Sequence, residues 1–201
     1  MKGNVYLLGE GKPIFDYLGL PSGRSPIEIG FNSIQNNVTV ENFAFTLGQD
    51  VRNTIRISGG ENISILNCSF NEQPITATTS SGSASIYVST NFDIYNVRIE
   101  GNVFRSTSKE KAMKFVSNAT NTITKVLIHN NQFLGCRGHN INVDEGVGMK
   151  TKFVITNNIA IDGVGSNVYG DNPIFAFFSL NQNSSVRDVI IHNNYYENKI
   201  T

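Results

Sequence analysis

Tryptophan is absent from this 201-residue sequence, cysteine occurs twice and proline five times. Charge is sparse too: acids and bases, 16 of each, make up 16% of the chain and cancel to a formal net charge of zero. That is well under the usual share of about a quarter. So little charge, so evenly balanced, excludes bulk attraction to nucleic acid or to an anionic lipid surface. No segment approaches the roughly 18 to 20 apolar residues needed to span a bilayer, so membrane insertion is not expected. The opening MKGNVYLLGEGKP breaks too early for a secretory signal. Cys68 and Cys136 have neither metal-type spacing nor a partner set for thiol catalysis, and no metal or other cofactor is called for.

What is present in excess is amide and glycine: 27 asparagines and 18 glycines. Both types are poor in helix interiors, which argues against a helical protein. The asparagines are not scattered. Residues 126–133 read VLIHNNQF and residues 189–196 read VIIHNNYY. The same frame, x-Φ-x-Φ-x-N-N-x-aromatic with Φ aliphatic or once Phe153, opens at Asn37, Asn62, Asn96, Lys125, Lys152 and Asp188. Gly101 and Ala160 are its main departures. Successive copies start 25 to 36 residues apart, an interval that signals stacked units.

The frame has period two, which predicts a strand with alternate side chains facing inwards. A second short alternating run precedes most copies: IEI at 27–29, IRI at 55–57, IYV at 86–88, MKF at 113–115, INV at 141–143 and IFAFF at 174–178. Each unit reads as strand, turn, strand, Asn-Asn bend, brief third strand from the aromatic, then a loop. Parallel strands without crossover helices imply a solenoid, each unit one coil. Asparagine suits the bend because it tolerates left-handed backbone and its amide can cap free backbone groups. Stacked at about 4.8 Å per coil, such side chains can bond to one another. Asn102, Asn131, Asn158 and Asn194 would form that column, with Asn42, Asn67, Asn130, Asn157 and Asn193 beside it, while Phe43 and Cys68 interrupt it in the first two coils. The N-x-S/T triplets at Asn37, Asn62, Asn67, Asn118 and Asn183 are read as unused, which favours a bacterial or viral source.

From about Val5 to Tyr196 this pattern resembles the right-handed parallel β-helix of the pectin-lyase-like superfamily, which includes polysaccharide lyases, polygalacturonases and bacteriophage tailspikes. The expected fold is therefore all-β: one right-handed parallel β-helix domain over 1–201, about six coils, with an Asn ladder at one bend. No capping helix is visible, so the chain is expected to be a piece of a longer protein or capped by partner chains. Cys68 and Cys136, about two coils or roughly 10 Å apart, should be free thiols.

The resemblance implies a ligand lying along the outer face of the first sheet. Alternation points Glu28, Arg56, Tyr87, Lys114, Asn142 and either Phe175 or Phe177 outwards there, with Ser58, Ser89, Asp144 and Ser179 in the next column. Tyr87 could stack on a sugar, while Arg56 and Lys114 could each hold a uronate carboxylate, Arg through its bidentate fork. The alternative is that a soluble solenoid must carry some such polar row. For chemistry, Lys114 or Arg56 would be a lyase base with Tyr87 near the leaving oxygen. A hydrolase would draw its two carboxylates from Glu110, Asp144, Glu145 and Asp171. RGHN at 137–140 departs from the Gly-His-Gly stretch of polygalacturonases at Asn140, and their other motifs are missing, so that activity is not carried over. Neither is the calcium-binding acidic set of pectate lyases.

On the second sheet the outward row runs Thr39, Ser64, Arg98, Leu127, Val154, Ile190, apolar over its last three members. Either a neighbouring subunit, as in a side-by-side homotrimer, or a folded-back loop would cover it. The preferred expectation is a polysaccharide-binding, and in one version polysaccharide-cleaving, domain of a phage tailspike or related depolymerase, on a virion tail or otherwise extracellular. A non-catalytic structural or adhesive solenoid comes next, then a secreted bacterial lyase or hydrolase.

Overall fold

The computed structural model describes residues 4–16, 25–47, 53–72, 84–105, 111–118, 120–136, 139–143, 146, 148–161, 177–180 and 185–197. Among these residues the helices and strands are all strands, and they form three parallel sheets. The first sheet contains Ile27–Ile29, Asn53–Ile57, Ala84–Ser89, Lys111–Val116, His139–Val143 and Phe178–Leu180. The second contains Val5–Leu8, Gln35–Glu41, Gly60–Leu66, Ile94–Glu100, Ile123–His129, Lys150–Thr156 and Val186–His192. The third contains Ile14–Asp16, Ala44–Leu47, Ser69–Glu72, Val103–Arg105, Gln132–Leu134, Ile159–Ile161 and Tyr195–Glu197. From Ile27 onwards the chain visits the three sheets in fixed order, and each strand pairs with its predecessor from the previous round. This stacking is compatible with a β-solenoid.

Period-two alternation explains the interior. Val38 and Val40 align with Ile63 and Ile65, then Val97 and Ile99, Val126 and Ile128, and Phe153 and Ile155. All ten are at most 2% exposed. On the third sheet Phe45, Phe70, Phe104 and Phe133 stack face to face, with ring centroids 5.1, 4.7 and 5.1 Å apart. These are the aromatic positions of the frame. Ala160 takes the next place in register, and Phe177 instead sets its ring edge against Phe133 at 6.2 Å.

One feature differs from the sequence expectation. The first-sheet strand of the last unit is Phe178–Leu180, later than the IFAFF run at 174–178, and it pairs Phe178 with Ile141 and Ser179 with Asn142. Residues 174–176 lie outside the described set. Val5–Leu8, at the expected start of the pattern, and Ile14–Asp16 extend the second and third sheets below the first complete frame.

The asparagines act on the backbone. Asn42, Asn67, Asn130, Asn157 and Asn193 occupy left-handed conformations, with Gly101 taking the equivalent place; their φ values run from 52° to 67°. The next position carries Asn102, Asn131, Asn158 and Asn194. The Nδ2 of each donates to Oδ1 of the one above at 3.0, 3.0 and 2.9 Å. Cys68 stands at the same position one round earlier, where its backbone N–H donates to Asn102 Oδ1 at 2.9 Å.

A second left-handed column was not anticipated. It lies inside the second-sheet strands, at Asn37, Asn62, Asn96, Lys125, Lys152 and Asp188, with φ from 54° to 61°. There the strand kinks and two successive side chains face outwards: Thr124 and Lys125 lie between inward Ile123 and Val126. Asn62 donates to Asn37 at 2.9 Å, and Asn96 to Asn62 at 2.7 Å. Lysine has no such excuse for left-handed backbone, which costs an ordinary residue about 1 kcal/mol or more. Lys152→Asn is therefore expected to stabilise the fold by about 1 kcal/mol, read as a higher urea midpoint with unchanged slope. Lys125→Asn should gain less, because Lys125 Nζ sits 5.6 Å from the Tyr95 ring centroid and that attraction is lost.

Candidate functional site

Backbone register brings Glu28, Arg56, Tyr87, Lys114, Asn142 and Ser179 into one row across the first sheet. These are side chains from six separate rounds of the chain, and only parallel in-register pairing makes them neighbours. Adjacent members stand one strand spacing apart, so Arg56 and Lys114, with Tyr87 between them, are separated by roughly 10 Å. Glu28, Arg56, Tyr87 and Lys114 are half-buried, whereas Asn142 is only 4% exposed. Ser179, expected in the next column, continues the row in place of Phe177. Phe177 is corrected to the interior side: it packs on the hydrophobic core and sets its ring edge against Phe133. Ser58 and Ser89, expected as an outward column, are 0% and 8% exposed. Ser58 lies at the corner between the first and second sheets, where the chain turns inwards. Phe175, Glu110, Asp144, Glu145 and Asp171 lie outside the described residues.

Arg56 is the best-defined member. Its Cζ lies 4.6 Å from the Phe31 ring centroid and 5.9 Å from that of Tyr87. Its Nε donates to Ser58 Oγ at 3.1 Å. Two aromatic faces and a buried hydroxyl thus hold the guanidinium, which lowers the entropy lost on capturing an anion. Phe31 escaped the sequence reading because it lies beyond the IEI strand, at no alternating position; the only signal was an aromatic beside a turn.

The row's far end is polar and closed. Asn140 is fully buried, and among the described residues neither polar atom of its amide has a hydrogen-bond partner; the same holds for Oδ1 of Asn142. Buried unpaired amide atoms are costly, roughly 1–3 kcal/mol each. Of the two, Asn142 stands directly beside Lys114 in register. Lys150 is a separate surprise. It stands in register with inward Ile123 and is fully buried, with Nζ donating to the carbonyls of Gly146 at 3.0 Å and Gly148 at 3.2 Å.

The remaining candidates separate. His129 and His192 align through Thr156 on the second sheet, on a different face from the row, and Thr156 Oγ1 lies 3.3 Å from His192 Nδ1. Among the described residues no group of three His, Cys, Asp or Glu side chains could hold a metal ion. Cys68 and Cys136 are buried free thiols. Burial pushes the Cys68 thiol up to about 11, so it stays protonated at neutral pH and is no nucleophile.

The outer row of the second sheet runs in register through Thr39, Ser64, Arg98, Leu127, Val154 and Ile190. Leu127 and Val154 are half-buried and Ile190 is 55% exposed. Comparison with protein-family models, with curated proteins and with solved structures finds no match to this chain.

Proposed function

We propose that the chain is a right-handed parallel β-helix of the pectin-lyase-like kind that binds an acidic polysaccharide along its first sheet, as a domain of a phage tailspike or related depolymerase at a virion tail or other extracellular location. The observation that carries this reading is the immobilised guanidinium of Arg56, between Phe31 and Tyr87 and bonded to Ser58. A flexible surface arginine would keep its rotamer freedom; this one is held ready, beside a half-buried aromatic and two strands from Lys114. Tyr87 offers a sugar face, Arg56 and Lys114 offer cations for successive carboxylates, and Lys114 is the base if the chain cleaves as well as binds. Association into a homotrimer through Leu127, Val154 and Ile190 belongs to the same proposal.

The test is calorimetric titration with oligogalacturonate beside a neutral oligosaccharide of equal length. Arg56→Ala should weaken acidic binding about ten- to a hundredfold, the scale of one charged hydrogen-bonded contact. Arg56→Lys should recover only part of it, because the bidentate fork is lost. Equal affinities for wild type and Arg56→Ala would leave the second reading for the first sheet, a structural wall with a merely polar face. The near-complete burial of Asn142, which shortens the accessible row, favours that second reading.

A further inference from the structure

The kink column of the second sheet contains a choice that folding does not explain. Three rounds place asparagine at the left-handed position, and those asparagines bond to one another. The next two rounds place Lys125 and Lys152 there, both exposed, on neighbouring strands and so about 4.8 Å apart. Two like charges side by side in an unfavourable backbone conformation work against stability twice. Among the described residues the ion pair is Arg98 with Glu100 at 2.6 Å, and the one opposite charge in the column is Asp188, on the strand next to Lys152.

Their surroundings are those of a binding face. Tyr95, 44% exposed, lies one strand below beside Thr124 in register, with Lys125 Nζ over its ring. The hydroxyls of Thr124 and Thr151 meet at 3.4 Å beside the two lysines, and exposed Arg187 follows Thr151 in register. Asp188 ends the column above Lys152, so the cationic stretch is bounded.

We propose that Tyr95, Lys125, Lys152 and Arg187 form a second ligand surface, on a different sheet from the Arg56 row, that takes a linear acidic glycan lying along the stacking direction. One cation per strand spacing matches one anionic sugar ring per step, the threonine hydroxyls meet sugar hydroxyls, and Tyr95 supplies a face for one ring. A duplex nucleic acid would want a broad basic field, which a chain of zero net charge lacks. This inference does not depend on the Arg56 row.

The test uses the Arg56→Ala/Lys114→Ala chain, so that the first-sheet row cannot contribute, and titrates it with oligogalacturonate at low salt. Adding Lys125→Asn and Lys152→Asn should weaken binding at least tenfold while raising the melting temperature, a pairing that damage to the fold cannot produce. Lys125→Arg with Lys152→Arg should retain binding, and Tyr95→Ala should lose it several-fold. Unchanged affinity in the double asparagine variant overturns the proposal. Tighter lysine-dependent binding of a single-stranded DNA oligonucleotide than of oligogalacturonate overturns its glycan assignment.

Discussion

Asn131→Ala is expected to lower the unfolding free energy by roughly 3–5 kcal/mol, a large share of the roughly 5–15 kcal/mol that holds an ordinary domain together. The side chain is fully buried at the bend between second and third sheets. Its Nδ2 shares two hydrogens among three acceptors, the Ile99 and His129 carbonyls and Asn158 Oδ1, each at 3.0 Å. Its Oδ1 accepts from the backbone N–H and the Nδ2 of Asn102, both at 3.0 Å. Truncation removes these bonds together, and it strands carbonyls and an N–H where water cannot reach them. That desolvation term, and not the net value of each bond, sets the size of the effect. Asn194→Ala makes the control. The same donations run from Asn194 to the Ile155 and His192 carbonyls, but its side chain is only half-buried, so water substitutes and the loss should be about 1 kcal/mol. Urea denaturation reads both. If the two variants lose equal stability, the buried amide network is not what holds the bend.

Phe104→Ala should cost about 3–5 kcal/mol, by a different mechanism. Phe104 is fully buried and has a parallel ring on either side, Phe70 at 4.7 Å and Phe133 at 5.1 Å. The hole left behind is lined by two flat faces held by their own sheet bonds, which limits collapse. Phe104→Leu should recover more than half the loss, because it restores volume without the stacking geometry. Where Ala160 follows Phe133 in register, the ring that meets Phe133 is Phe177, edge-on from another element. A loss below about 1.5 kcal/mol for Phe104→Ala would mean that the rings contribute area and no order.

Much of this architecture was legible because period two and a repeated frame are local signals. The alternation in VLIHNNQF determines which side chains face inwards, and its recurrence every few tens of residues requires parallel neighbours. Left-handed Asn42, Asn67, Asn130, Asn157 and Asn193 follow from asparagine's own backbone preferences, and the outer row from Thr39 to Ile190 follows from alternation plus stacking. The register error at Phe177 shows where this reasoning ends. IFAFF is apolar at every position, so alternation cannot say which ring faces in; packing of Phe177 on the core and against Phe133 decides it.

Three things only the tertiary structure decided. Phe31, in the bend that follows Ile27–Ile29, lies against Arg56 of the next strand, a contact no spacing encodes. Lys150 is inside, where two loop carbonyls receive its ammonium. The strand kink that turns Lys125 and Lys152 outwards as neighbours comes from a backbone conformation that asparagine advertises and lysine conceals. A sequence records a residue's own preferences and its period; whether a neighbour makes a costly choice tolerable is a property of the packed chain alone.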